Sequence, residues 1–211
     1  MMLREAREEV VATARRMAAD GLVVGTSGNV SARVGELVAV TPTGVGYDAM
    51  TAEDVPVVDA ADGRVVDGAL KPTSELPMHL AAYREFGAGA VVHTHAVHAT
   101  AVSTLVDEVP PIHYQTAALG GVVRVAPYAT YGTDALAEGM VEAMRDRHGC
   151  LLRNHGTVVT GASVAEAFER TTQLEWMCRV WLAARAVGTP SLISDEELGL
   201  VAERFKGYGQ R

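Results

Sequence analysis

Of the eighteen basic residues in the 211-residue chain, only two are lysines, Lys71 and Lys206. Lys71 sits in a polar loop and Lys206 in the tail. A Schiff-base lysine needs an apolar pocket to lower its pKa, and neither stretch offers one. Cysteine is equally scarce. Cys150 and Cys178 stand alone with no CxxC spacing, which argues against a disulfide framework and for reduced, buried thiols in a cytoplasmic protein. Basic stripes are missing too. The formal charge is −8, which argues against a general nucleic-acid binder. It leaves room for a local anion site, because backbone amides bind phosphate without net positive charge. No apolar run approaches the ~20 residues needed to span a bilayer. The opening residues, MMLREAREEV, are charged and lack the apolar core of a signal peptide. There is no internal repeat, linker or low-complexity tract.

What is present is a chain 48% apolar, enough to build a core in one domain without disulfides. Residues 2–19 place Leu3, Val10, Ala14, Met17 and Ala18 on one face of a helix. ELVAVTPTG predicts a strand stopping at Pro42. TAEDVPVVD and RVVDG predict a helical turn and a hairpin around Gly63. TSELPMHLAAYREF carries Leu76, Leu80 and Tyr83 at helical spacing. AGAVVHTH predicts a strand, with a helix over HATAVSTLV after it. Val122 to Pro127 predicts another short strand. Thr133 is placed to cap a helix over TDALAEGMVEAMRDR. CLLRNHGTVVTG predicts two strands bent at Gly156. Ser163 with Glu166, and Ser194 with Glu197, have capping-box spacing before the last two helices. Interspersed α and β elements predict one sheet covered by helices.

Three of the seven histidines fall in AVVHTHAVHAT. In a strand, residues two apart point the same way, so His93 and His95 project together. His98 lies beyond, in a different element. An HxH pair alone is equally well two hydrogen-bonded histidines at a strand end. A zinc site needs a third ligand, and His155, in RNHGT, is the best placed by sequence. Spacing does not decide it. His79 reads as helix packing, His113 as structural after two prolines, and His148 as solvated beside a turn glycine.

Three loops combine glycine with hydroxyls: GTSGNVS, TPTG and PTSE. None is a P-loop, for want of GK[ST], and none is GxGxxG. Each taken singly fits an ordinary turn or cap. Together they could cradle one phosphate, with Thr73 and Ser74 at a helix start where free N–H groups attract anions.

The ordered set GTSGNVSAR, TPTGVGYDAM, KPTSELPMHLAAY, VVHTHAVHATAVS, PPIHYQTAALGG, PYATYGT, NHGTVVTG and FKGYG resembles the class II sugar-phosphate aldolase family, from the first helix to Tyr208. The resemblance implies an α/β fold of a single domain over 1–211, with a mainly antiparallel central β-sheet between helical layers and a mobile tail from about 206. It implies a cytoplasmic homotetramer with active sites between subunits. It implies reversible cleavage of a ketose 1-phosphate, of the L-fuculose 1-phosphate type, to dihydroxyacetone phosphate and a small aldehyde such as L-lactaldehyde. His93, His95 and His155 match the family's zinc-binding histidines, with one Zn2+ per subunit. Glu75 matches an acid that approaches the metal and then serves as general acid/base. Gly28, Asn29, Thr43, Gly44, Thr73 and Ser74 match phosphate-binding positions. Tyr114 matches a tyrosine reaching a neighbouring subunit's site, and Tyr208 one that closes over substrate. Thr73 stands where the fuculose-type branch has serine, which keeps the hydroxyl. Asn154 stands where that branch has histidine, which bears on the sugar. Related members act as 5-deoxypentulose-1-phosphate aldolases, pentulose-5-phosphate 4-epimerases and methylthioribulose-1-phosphate dehydratases. Glu75 and the IHY segment favour the aldolases over the 4-epimerases. The adducin-type modules lack the metal ligands that this chain has.

Overall fold

The computed structural model describes residues 1–207. The strands are β1 (Asn29–Val34), β2 (Leu37–Val40), β3 (Val57–Asp59), β4 (Val65–Asp67), β5 (Ala90–Thr94), β6 (Val125–Ala126), β7 (Gly149–Leu152) and β8 (Gly156–Gly161). The helices are α1 (Arg4–Ala19), α2 (Leu76–Phe86), α3 (Val97–Ser103), α4 (Asp134–Ala143), α5 (Val164–Val187) and α6 (Asp195–Phe205). The strands form one sheet in the order β4-β3-β2-β1-β5-β8-β7-β6. Every neighbouring pair is antiparallel except β6 and β7. The expected α/β architecture, mainly antiparallel with helices on both faces, is the one observed.

Period-two alternation builds the two faces. Ala39, Ala90, Val92 and Val159 pack with α1 and α5 on one side. Their neighbours Val38, Val40, Val91 and Val158 pack with α2 and α4 on the other. Small and β-branched residues suit strands that are buried on both faces. By the same parity His93 shares a face with Val91 and lies under α2.

The helix starts follow local chemistry. The hydroxyls of Thr133, Ser163 and Ser194 accept from the backbone N–H of Leu136, Glu166 and Glu197. The Glu166 carboxylate reaches the N–H of Ala162 rather than that of Ser163, one residue off the reciprocal bond of a capping box. A 3-10 helix at Tyr114–Leu119 has no counterpart in the sequence-based elements, and β6 is shorter than the Val122–Pro127 expected. No helix among the described residues is long and apolar enough to cross a membrane.

Two glycines shape the ground under the site. Gly28 adopts φ 74°, and a Cβ there would lie 2.5 Å from Val23 Cγ1 and 2.8 Å from the His93 carbonyl oxygen. Gly156 starts β8 so close to β5 that a Cβ would sit 2.0 Å from the Thr94 carbonyl oxygen. A backbone carbonyl inside the sheet has little room to yield. Gly156→Ala is therefore expected to cost about 3 kcal/mol, the upper end of overpacking, read as a lower urea midpoint at unchanged slope. An unchanged midpoint would show that β5 and β8 can separate freely.

Candidate metal centre

Four side chains converge above the β1–β5–β8 ridge. Glu75 is the cap residue of α2, a helix that begins where Pro77 fits, since first-turn N–H groups lack partners anyway. His93 is near the end of β5, fully buried. His95 lies one residue beyond Thr94, where the strand stops, and still meets His93. His155 ends the turn between β7 and β8, and the β5–β8 register, Thr94 opposite Thr157, brings it alongside.

The three imidazole rings stand 4.8 to 4.9 Å apart by centroid, each edge-on to the others. His93 Nε2 lies 3.0 Å from His95 Nε2 and 3.0 Å from Glu75 Oε2. His155 Nε2 lies 3.4 Å from Glu75 Oε1. All four ligand atoms fall within 4.8 Å of one another.

The hydrogen bonds around the cluster leave it short of a proton or a cation. His93 Nδ1 is 2.7 Å from the Thr157 carbonyl oxygen, which accepts only, so Nδ1 carries a proton. A carbonyl that accepts from the far ring nitrogen in this way is the usual support of a metal-ligating histidine. Nε2 then faces the cluster beside another imidazole nitrogen and a carboxylate oxygen. Such acceptors converge only around a proton or a cation. Glu75 Oε1 is buried with no hydrogen-bond partner, a coordination that a cation would complete. Two nitrogens on a tetrahedral zinc stand about 3.3 Å apart, given Zn–N bonds of about 2.0–2.1 Å. Three histidines and one carboxylate at these separations therefore fit a divalent ion.

The titration behaviour agrees. Burial, and after it the neighbouring His93, pushes the His95 and His155 imidazoles down to about 4. They are neutral at physiological pH, as ligation requires. Burial pushes the Glu75 carboxyl up, but His93, Asn29 and His155 outweigh it and hold the group well below the usual carboxylate range.

His98 stays out of the cluster. Its Nδ1 lies 2.6 Å from Glu175 Oε1, and the same carboxylate accepts from the backbone N–H of His98 and Ala99. Glu175 of α5 thus caps α3 from outside and fixes the segment that follows His95.

The cluster opens into a cleft of about 440 Å³. Gly28, Asn29, Thr43, Gly44, Thr73 and Ser74 all line it, together with Glu75, His95 and His155. Among the described residues no lysine or arginine does. An anion here would meet hydroxyls, main-chain N–H groups, the start of α2 and any bound cation. Asn29 Nδ2 donates to Glu75 Oε2 at 2.9 Å and to Thr73 Oγ1 at 3.1 Å. The buried Tyr47 hydroxyl donates to the Gly28 carbonyl at 2.5 Å and pins the glycine loop from below.

Tyr114 lies outside this lining. It is 46% exposed, its ring tilted against His113 at 4.4 Å and near Phe205. Tyr208 falls outside the described residues. Reading the residues singly did not find Tyr128 and Tyr131, which are 65% and 67% exposed and line the cleft mouth. Their only sequence signal is the PYATYGT loop. Asn154 also lines the cleft and takes φ 56°. It occupies the turn closed by the His155 N–H on the Leu152 carbonyl. Asparagine tolerates that left-handed conformation better than most residues, which gives Asn154 a backbone reason to precede His155.

The family described as Class II Aldolase and Adducin N-terminal domain matches residues 8–182. A 5-deoxy-D-ribulose 1-phosphate aldolase of Bacillus thuringiensis serovar kurstaki is 39% identical over 214 residues, covering 100% of each chain. An L-fuculose phosphate aldolase of Escherichia coli O6:H1 is 40% identical over 206 residues, covering 96% of this chain and 95% of that one. A solved L-fuculose 1-phosphate aldolase superposes with a TM-score of 0.92 at 35% identity over 96% of both chains. On this agreement of sequence and fold, the chain belongs to the class II aldolase family.

Proposed function

We propose that this protein is a divalent-metal-dependent aldolase that reversibly cleaves a ketose 1-phosphate, of the L-fuculose 1-phosphate type, into dihydroxyacetone phosphate and a small aldehyde. The observation that carries this reading is the joining of two sites in one cleft. A three-histidine, one-glutamate cluster adjoins a wall of hydroxyls and glycine N–H groups suited to a phosphate.

The bond between C3 and C4 breaks. The C4 hydroxyl gives up its proton and becomes the aldehyde, and the electron pair stays with the three-carbon fragment. A zinc ion, held by His93, His95 and His155, would act as a Lewis acid for the negative charge that develops there. Gly28, Asn29, Thr43, Gly44, Thr73 and Ser74 hold the phosphate end and so fix which carbon faces Glu75. Glu75 delivers a proton to that carbon in cleavage and removes it in synthesis. Tyr114 of a neighbouring copy in a tetramer exchanges the proton of the aldehyde oxygen, and Tyr208 closes over the substrate. The protein works in the cytoplasm. A lysine Schiff base would serve as the same electron sink, but among the described residues the lining holds no lysine.

The full-length likeness to the 5-deoxy-D-ribulose 1-phosphate aldolase favours a second reading that keeps every step and changes only the aldehyde end. One assay tests both. Dihydroxyacetone phosphate release is measured from L-fuculose 1-phosphate and from 5-deoxy-D-ribulose 1-phosphate, with and without a chelator. Release that the chelator abolishes and zinc restores is expected, and the ratio of kcat/KM ranks the substrates. Metal-loaded protein that releases nothing from either would refute the aldolase reading and turn attention to 4-epimerase or dehydratase substrates.

A further inference from the structure

His79 is the one buried histidine that the metal cluster leaves aside. It lies on α2 four residues after Glu75 and four before Tyr83, so the three share one helix face. Across from them β1 presents Asn29 and Ser31, two apart and on one face of the strand. Four residues of helix rise about 6 Å, and two residues of strand about 6.6 Å. The two rows therefore interleave. Asn29 sits between Glu75 and His79, and Ser31 between His79 and Tyr83.

All the contacts are short and buried. Asn29 Nδ2 lies 2.9 Å from Glu75 Oε2. His79 Nε2 lies 2.5 Å from Asn29 Oδ1. His79 Nδ1 lies 2.7 Å from Ser31 Oγ, and Ser31 Oγ lies 2.5 Å from the Tyr83 hydroxyl.

Donor and acceptor inventory fixes the direction of this chain. A carboxylate accepts only, so Asn29 must turn its NH2 to Glu75 and its oxygen to His79. His79 Nε2 must then carry the proton. A neutral ring with Nε2–H has a bare Nδ1, so Ser31 donates to it. The Ser31 oxygen in turn accepts from the Tyr83 hydroxyl. Every hydrogen points toward Glu75. Burial, the chief cause, pushes the His79 imidazole down to about 3, so the ring stays neutral throughout the working range.

We propose that His79 is a positioning residue for Glu75: as the Nε2–H tautomer it forbids the flipped Asn29 amide, and so keeps the Asn29 NH2 on Glu75 Oε2 and fixes how the carboxylate is turned toward His93 and His155. A flipped Asn29 would set its oxygen against the carboxylate and its NH2 against the His79 N–H. Without His79 nothing opposes that flip from behind. The inference rests on the acid/base role proposed for Glu75.

Two variants and one spectrum test it. His79→Leu removes the donor, and His79→Gln restores an N–H near the place of Nε2. In zinc-loaded protein, His79→Leu is expected to lower kcat about 100-fold, the scale of a 1 Å misplacement, with KM changed less than about threefold. His79→Gln is expected to recover at least tenfold of that loss, on the scale of the same misplacement. A purely structural histidine would lower the melting temperature and leave kcat alone, and that outcome overturns the proposal. So does a raised KM at unchanged kcat. The spectrum is nitrogen-15 NMR of the histidine-labelled protein, expected to show His79 protonated at Nε2 and bare at Nδ1. An Nδ1–H tautomer overturns the proposal whatever the kinetics. If the unaltered protein cleaves no ketose 1-phosphate, the aldolase reading fails, and the tautomer still decides the part of His79. Should His79→Leu not fold, the glutamine variant and the spectrum carry the test.

Discussion

Glu75→Gln is expected to lower kcat by about 10²–10⁴, the contribution of a placed general acid/base, while the protein stays folded. The shape is preserved. The amide oxygen takes the place of Oε2 and still accepts from Asn29, which lies 2.9 Å away. The new NH2 takes the place of Oε1, which has no partner, and faces His155, 3.4 Å off. Nothing buried is left worse paired than before, so the melting temperature should barely move. What disappears is the group proposed to exchange a proton with the reacting carbon. Glutamine also removes a negative charge beside three imidazoles, so the assay is run at saturating zinc to keep metal loss from passing as lost chemistry. A variant that turns over at near-normal rate under those conditions would remove Glu75 from the reaction.

The second large effect is expected at His93. His93→Ala should weaken divalent-ion binding by well over 100-fold and abolish ketose phosphate cleavage. Losing even a group that only supports a metal ligand typically costs about 10–100-fold, and His93 is itself one of the three converging rings. Its Nε2 touches both His95 and Glu75, and its centroid is 4.9 Å from those of His95 and His155. Two histidines and one carboxylate would remain. The same change leaves the Thr157 carbonyl without its imidazole donor and opens a void under α2. Stability should fall by about 2–4 kcal/mol, the scale of large-to-small core substitutions. Chelator competition gives the affinity and urea unfolding the stability, so the two losses are measured separately. Wild-type affinity in this variant would show that the ion sits elsewhere.

Particular residues show how far the sequence could be read. His93 and His95 announced a shared direction through their spacing, yet His95 keeps it from a position one residue past the strand. The same stretch placed His98 in a separate element, and it lies in α3. His155 stood out only as a histidine before a glycine. Its nearness to His93 comes from the β5–β8 register, a non-local pairing that no local pattern encodes. Glu75 was legible as part of a helix start, but its reach toward His93 depends on α2 lying across β5. His79 read as packing because its partners Asn29 and Ser31 are 50 and 48 residues away. The match between a four-residue helical step and a two-residue strand step shows only once the two elements are laid together. Tyr128 and Tyr131 gave no signal beyond their loop, since exposed residues carry no burial pattern. The 3-10 helix after His113 follows a proline pair and lacks the length that makes periodicity visible.

The register of β5 against β8 also bears on the order of events as the chain matures. Thr157, whose carbonyl orients His93, is 64 residues along the chain from it. The pocket for the ion therefore does not exist in any short fragment, nor in the two halves of the sheet before they join. A zinc finger gathers its ligands from one short stretch and uses the metal to fold. Here the central strands must already be zipped before the last nitrogen swings into range. An ion bound here would arrive late to a finished frame, and its binding energy would tighten the native state by mass action without having guided the chain there.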